Sequence, residues 1–239
     1  MNTRLLARGV ATLALTAGLG LAGSVAVDAD TTPTPASQTI GLTALKAACN
    51  VAVQRRLGTL AADATFVKDS AALTGSDRTI LEGQISADQV GLPALDRTIQ
   101  GDTTGKQAWT DCQMIVTGYR VYVLEDPKIH EVIAADGVTK VDETSATLIP
   151  ELQSLINNSS VSATVKAEAQ ADLNDLTSKV DASQTSISGV ASSVINLTPA
   201  GWPGNAVQLT SAAQNIKTAC TDLAGAGADA NHIIQLLGA

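Results

Sequence analysis

The stretch AQADLNDLTSKVDASQTSISGVASSVINL, residues 169–197, decides the fold of this chain. Small and branched aliphatic residues recur in it at alternating steps of four and three residues. A seven-residue repeat of this length is typical of long helices that pack side by side. Its positions are Ala169, Leu173, Leu176, Val180, Ser183, Ile187, Val190, Val194 and Leu197. The stretch therefore predicts one long helix with a narrow buried seam.

The same repeat occurs in three other parts of the chain. Its members are Leu81, Ile85, Asp88, Leu92, Leu95 and Ile99; then Ala134, Val138, Val141, Ser145, Leu148, Leu152 and Leu155; then Leu209, Ala212, Ile216, Ala219, Leu223, Ala226, Ala230, Ile233 and Leu237. Aromatic residues make up only 2% of the chain, so the core must consist of Leu, Ile, Val and Ala, which favours helices over a sheet sandwich. We predict an all-α fold, an elongated bundle of about six long helices with coiled-coil-like heptad packing, as a single domain over residues 41–239.

Glycine, proline and serine clusters predict where the helices begin and end. A first helix is expected over residues 43–68, and a second over 77–100 with Pro93 inside it and Gly101 at its end. The runs NNSSVS, residues 157–162, and TPAGWPGN, residues 198–205, predict breaks before the fifth and sixth helices. The inward face of the first helix is predicted to contain Leu45, Cys49, Val53, Leu57, Leu60, Ala64 and Val67.

The N-terminus predicts export. Arg4 and Arg8 precede an apolar run over residues 9–23 that is too short to span a bilayer, which is typical of a secretory signal peptide. Cleavage is predicted after Ala29, with Ala26 as the alternative, so residues 1–29 form the signal peptide. The Thr/Pro-rich residues 30–40 then form a flexible lead-in. We expect a secreted protein, extracellular or associated with the cell envelope.

The net charge narrows the range of partners. It is −8 for the full chain, and removal of the signal peptide leaves 13 basic and 22 acidic residues, a net charge of −9. Without a basic cluster, this charge disfavours nucleic acid and anionic lipid surfaces. No further transmembrane segment is expected after signal cleavage. The partner classes that remain are self-association and a component of the cell envelope.

Three cysteines in an exported chain predict one disulfide and one remaining thiol. Cys49 and Cys112 lie at similar distances from the starts of the first and third helices, which run parallel in an up-and-down arrangement. Both also fall on inward faces, whereas Cys220 lies beside its seam. A Cys49–Cys112 disulfide is the predicted pairing, although all three pairings stay open, and Cys220 is left free or pairs between molecules.

The segment YRVYVLEDPKIH, residues 119–130, contains both tyrosines and one of the two histidines. The spacing of Cys112, Ile115, Val116, Tyr119, Tyr122 and Val123 predicts that the third helix continues through it. Asp126 and Pro127 then predict an N-cap and first turn of a fourth helix that extends toward Asn157. Two interpretations stay open: a polar pocket, or tyrosines that plug the end of the bundle beside a charged turn with a solvated His130. The candidate ligand or partner contacts are Tyr119, Arg120, Tyr122, Asp126, His130 and Trp202.

Motifs for a metal, a cofactor or catalysis are not found, so we predict none of the three. His130 and His232 lack an HExxH pattern, and no carboxylate follows His130 at three or four residues. Trp202, in the GWPGN segment, is expected to pack over a helix end or else to contact a ligand. A non-enzymatic contact protein is the first functional hypothesis, and a small-molecule or lipid carrier with a pocket near the Tyr119/Tyr122 turn is the alternative.

Four segments carry a resemblance to a known group of proteins. They are ALKAACNVAVQRRLGTL, LTGSDRTILEGQISADQVGLPAL, DCQMIVTGYRVYVLEDPKIHEVIAADG and LTPAGWPGN. With these segments the chain resembles uncharacterised secreted helical proteins of high-GC Gram-positive bacteria. The resemblance implies an extracellular or periplasm-like helical protein whose distinctive block is the YRVYVL segment. It implies no reaction, ligand or catalytic residue.

Overall fold

The computed structural model describes residues 41–238, and over this range the chain is all helical, as predicted. We number the α-helices in chain order: α1 Leu42–Asp69, α2 Gly75–Gly101, α3 Gly105–Thr117, α4 Asp126–Asn158, α5 Ala163–Ile187, α6 Val190–Val194 and α7 Gly204–Leu237. A π-helical turn, Val121–Glu125, precedes α4, and a 3₁₀ turn, Pro199–Gly201, precedes α7. The predicted signal peptide and lead-in lie outside the described residues.

Short polar side chains begin several of these helices. The Thr74 hydroxyl accepts a hydrogen bond of 3.1 Å from the backbone N–H of Asp77 at the start of α2. Thr104 and Ser162 accept equivalent bonds at the starts of α3 and α5. Each bond satisfies one of the N–H groups that lack a partner in the first turn of a helix. The predicted breaks at residues 157–162 and 198–205 are confirmed, because no α-helix runs through either segment.

Two predicted helices end earlier than expected. The third helix stops at Thr117 instead of continuing through Tyr122, and α5 stops at Ile187 instead of reaching Leu197. In the second case Gly189 has φ 72°, a left-handed conformation that ends a helix and that glycine adopts without steric cost. The seven-residue repeat continues across this glycine, so the periodicity alone hid the break.

The described chain divides into two compact units. The first, which we call the disulfide unit, comprises residues 41–133 and Ala191–Ser211. In it α1 packs against α2, α3 and the π-helical turn, and the predicted disulfide between Cys49 and Cys112 joins α1 to α3 with the two Cα atoms 5.7 Å apart. Cys220 has a free thiol.

The second unit, which we call the long-helix unit, comprises Ala134–Val190 and residues 212–238. Its parts of α4, α5 and α7 contact one another through side chains. Gln153 on α4 and Gln170 on α5 donate to each other's amide oxygens at 2.7 and 3.1 Å, and Lys179 on α5 pairs with Asp229 on α7 at 2.7 Å. The predicted seam of α5 is buried from Ala169 to Ile187.

Among residues 41–238, no helix combines the length and the hydrophobicity that a membrane crossing requires.

Candidate functional site

The link between α3 and α4 has a backbone that the sequence analysis did not predict. After Thr117 the chain reaches Arg120, which has φ 47° and ψ 38°, a left-handed conformation that a residue with a side chain rarely adopts. The Arg120 carbonyl then accepts hydrogen bonds from the backbone N–H groups of Leu124 at 2.9 Å and of Glu125 at 3.4 Å. The chain thus enters α4 already helical. Asp126 is therefore not the N-cap that the sequence suggested, because its own N–H bonds to the Val121 carbonyl.

The left-handed residue is held by the segment before α7. The Arg120 guanidinium donates from Nε to the Pro199 carbonyl at 3.3 Å, and its carbon lies 5.3 Å from the centre of a Trp202 ring. A guanidinium over an indole face is a cation–π contact. The structure thus brings Arg120 and Trp202 together, and the Trp202 side chain is half-buried.

The two tyrosines contact different helices. Tyr122 lies under the guanidinium of Arg56 on α1, 4.8 Å from ring centre to guanidinium carbon. Tyr119 lies against α2, where a Cβ added to Gly91 would come within 2.5 Å of the Tyr119 hydroxyl oxygen. Gly91 therefore makes room for this ring. Burial, with the charge of Asp88 as a smaller cause, raises the pKa of Tyr119.

A buried ion pair lies at the start of α4. The Lys128 Nζ is 2.6 Å from Glu125 Oε2, with the side chains 1% and 7% exposed, and it also donates to the Leu197 carbonyl at 3.2 Å. Burial raises the pKa of Glu125, while Lys128 opposes that rise. Burial and the Glu125 charge likewise raise the pKa of Asp88 to about 6. Neither Glu125 nor Lys128 was a predicted site residue, although their spacing of three residues on a helix allows such a pair.

The remaining predicted residues, Asp126 and His130, meet a carboxylate of α1. His130 Nε2 is 3.5 Å from Asp126 Oδ1, and ligand atoms of Asp63, Asp126 and His130 all lie within 4.8 Å of one another. We call these three residues the carboxylate–histidine cluster. The His130 ring also packs on Phe66, with the centroids 4.7 Å apart, while more than half of its side chain is exposed.

The electrostatics of the carboxylate–histidine cluster follow from the burial of Asp63. Burial, then the charge of Asp126 and a hydrogen bond shared with it, then Glu125, raise the pKa of Asp63 to about 7, against an opposing effect of His130. The hydrogen bond to Asp126 raises the pKa of His130 above its usual value, although burial opposes this. Near neutral pH Asp63 can therefore hold a proton and donate it in a hydrogen bond to Asp126.

Sequence reasoning missed Asp63 because it misassigned two positions of the inward face of α1, although Cys49, Val53, Leu60 and Val67 were predicted correctly. The buried positions of α1 are Cys49, Val53, Arg56, Leu60, Asp63 and Val67. Leu57 and Ala64, which were predicted to face inward, are only half-buried. Leu57 and Ala64 directly follow Arg56 and Asp63, and it is these two charged residues that lie on the buried face. Asp126, four residues before His130, could have indicated this pair. The sequence analysis considered only the positions three and four residues after His130.

The second histidine lies in the long-helix unit. His232 Nδ1 is 2.8 Å from Asp172 Oδ2, and both side chains are partly exposed. No third ligand group joins this pair among the described residues. Comparisons with known protein families, with curated proteins and with solved structures found no match for this chain.

Proposed function

We propose that this chain is an exported, non-enzymatic helical protein that acts by contact with another protein, with a second copy of itself or with a cell-envelope component. One observation carries the proposal: the disulfide between Cys49 and Cys112. Disulfides persist in oxidising compartments and are rare in the cytosol. A signal peptide over residues 1–29, cleaved after Ala29, would bring the chain to such a compartment.

The side chains of the YRVYVLEDPKIH segment support a role by contact more than one by an open pocket. Arg56 covers Tyr122, Arg120 covers Trp202, and Lys128 neutralises Glu125. The Arg56 and Arg120 contacts each join segments that are far apart in the sequence. They therefore stabilise the arrangement of helices, and the outer faces of the helices are left for a partner. The carrier hypothesis stays a prediction without an observation in its favour.

The proposal includes the helix packing predicted from the repeat. We infer a bundle of about six helices with coiled-coil-like seams, and a relation to secreted helical proteins of high-GC Gram-positive bacteria. Support for the seams comes from α5, where Leu173, Leu176 and Val180 are each no more than 2% exposed. Seams of small residues allow helix backbones to approach closely.

Secretion from a Gram-positive host tests the export half of the proposal. We expect intact-mass analysis of protein from the medium to show a chain that begins at Asp30, with Cys49 and Cys112 joined. Because cleavage needs a small residue at its last position, Ala29→Leu should move the new N-terminus to Val27. Retention of the whole chain in the cytosol with reduced cysteines would contradict export.

Light scattering and sedimentation with washed cell envelopes test the contact half. We expect the oxidised mature chain to form a defined oligomer or to sediment with envelopes in a saturable manner. A chain that stays monomeric at high concentration and does not sediment would contradict the proposal of self-association or envelope contact, whatever the outcome of the export experiment.

A further inference from the structure

We propose that Asp63, Asp126 and His130 form a binding site for a divalent transition-metal cation, with two carboxylate oxygens and one imidazole nitrogen as its ligands. This site goes beyond the contact role proposed above and does not depend on it. The sequence analysis predicted no metal, because the ligands come from α1 and α4 and only two of them are close in sequence.

The ligand types and distances fit such a cation. Imidazole and carboxylate together suit zinc and its first-row neighbours, whereas calcium prefers six to eight oxygen ligands. Neighbouring ligand atoms of a tetrahedral zinc ion with bonds of about 2.0–2.1 Å are about 3.4 Å apart. His130 Nε2 and Asp126 Oδ1 are already 3.5 Å apart. The ligand oxygen of Asp63 lies within 4.8 Å of the ligand atoms of Asp126 and His130. A rotation of the Asp63 or His130 side chain would bring the three atoms to the spacing that zinc requires.

A second observation points to a missing partner for Asp63. This residue is 4% exposed, and its Oδ2 atom has no hydrogen-bond partner among the described residues. Buried polar atoms nearly always have a partner, so a lone carboxylate oxygen beside two other ligand groups needs an explanation. A bound cation would supply the missing partner.

Charge and access also favour a dication. Once a cation has displaced its protons, the cluster offers two carboxylates and a neutral imidazole, a charge of −2 that a divalent cation neutralises. The His130 side chain is 54% exposed, so a cation can reach the cluster from solvent. Three protein ligands leave at least one position for water. A proton on Asp63 that bonds to Asp126 would also explain two carboxylates so close together. Zinc titration distinguishes a bound cation from such a proton.

Isothermal titration of the oxidised mature chain with zinc chloride tests the site, after removal of any histidine tag. All variants carry Cys220→Ser, because the free thiol at Cys220 is itself a zinc ligand. We expect one zinc ion per chain. Loss of one ligand in His130→Gln or Asp63→Asn should weaken binding by at least about tenfold.

His232→Gln is the matched control, since His232 has a single carboxylate partner, Asp172. Its zinc affinity should equal that of the parent, and zinc should raise the melting temperature of this control but not that of His130→Gln. Because His130 is largely exposed, the His130→Gln variant should fold, which circular dichroism checks. Absence of zinc binding by the parent, or equal affinities of the parent and His130→Gln, would overturn the proposal in favour of a proton on Asp63.

Discussion

The disulfide unit and the long-helix unit bury charged side chains in different ways. In the disulfide unit the buried cations Arg56 and Lys128 lie against a tyrosine ring and a carboxylate. In the part of the long-helix unit that the structure describes, the buried polar residues are Asp136, Asp142, Ser145 and Ser183, with no basic residue among them. Among the described residues, buried cations thus occur only in the disulfide unit, and each lies against a group that favours its charge.

The largest expected effect comes from the disulfide. Cys49 and Cys112 are 63 residues apart, and closing a loop of this size in the unfolded chain is worth about 4 kcal/mol. We expect the double variant Cys49→Ser/Cys112→Ser to lose about that much free energy of unfolding. Urea titration followed by circular dichroism measures it. An unchanged unfolding midpoint would show that α1 and α3 do not depend on the bond.

Removal of the buried cation Lys128 tests whether it stabilises the charge of Glu125. Lys128→Met leaves Glu125 buried without its counter-charge, so we expect a loss of about 3 kcal/mol, part of which a Glu125→Gln substitution in the same chain recovers. Lys217→Met removes an exposed lysine and should change the stability by no more than about 0.5 kcal/mol. Equal effects of the two lysine substitutions would contradict a compensated pair.

The long-helix unit offers the opposite case, a buried acid whose removal should stabilise. Burial raises the pKa of Asp142 to about 6, against a smaller opposing effect of the Ser183 hydroxyl and with a further rise from the charge of Asp222. Since the folded chain binds the proton more tightly than the unfolded chain, Asp142 stays neutral in the fold up to about pH 6, whereas in the unfolded chain it ionises near pH 4. Its cost to stability develops between about pH 4 and pH 6 and persists above.

We therefore expect Asp142→Asn to raise the free energy of unfolding by about 2 kcal/mol at pH 7 and to have little effect at pH 4. Urea titrations at both pH values give the difference. Asp181→Asn, at an exposed position of the same unit, is the control and should be near neutral at both. A destabilised Asp142→Asn variant at pH 7 would mean that the carboxylate has a favourable partner.

The smallest expected effect concerns the packing of the Tyr119 ring against Gly91. Gly91→Ala places a methyl group against the Tyr119 hydroxyl and should cost about 1 kcal/mol or more. Gly83 lies in the same helix, and no atom would lie within 4 Å of an added Cβ there, so Gly83→Ala should stabilise by up to about 1 kcal/mol. Tyr119→Phe in the Gly91→Ala background should restore part of the loss. Thermal melts that shift in the same direction for both alanine variants would contradict this packing.

Sequence periodicity predicted the buried face of α5 well because that seam is mostly apolar, but it did not predict the buried Asp136 and Asp142 on α4. Leu173, Leu176 and Val180 were assigned to the buried face of α5 and are buried. In the disulfide unit the apolar repeat did not identify Arg56 and Asp63 as buried, because a charged residue on a buried face interrupts the repeat. The disulfide was predictable from helix heights. The left-handed Arg120 and the π-helical turn were not, because they depend on contacts with Pro199 and Trp202 that lie far along the chain.

The two units also differ in what holds their helices: we expect α1 and α3 to depend on the disulfide, whereas α5 is held by its buried seam. Hydrogen exchange with mass spectrometry, on the oxidised and the mildly reduced chain, tests this claim most directly. We expect reduction to remove amide protection from residues 42–69 and 105–117 while residues 163–187 keep theirs. Equal loss of protection in all three segments, or no loss in any of them, would contradict the account.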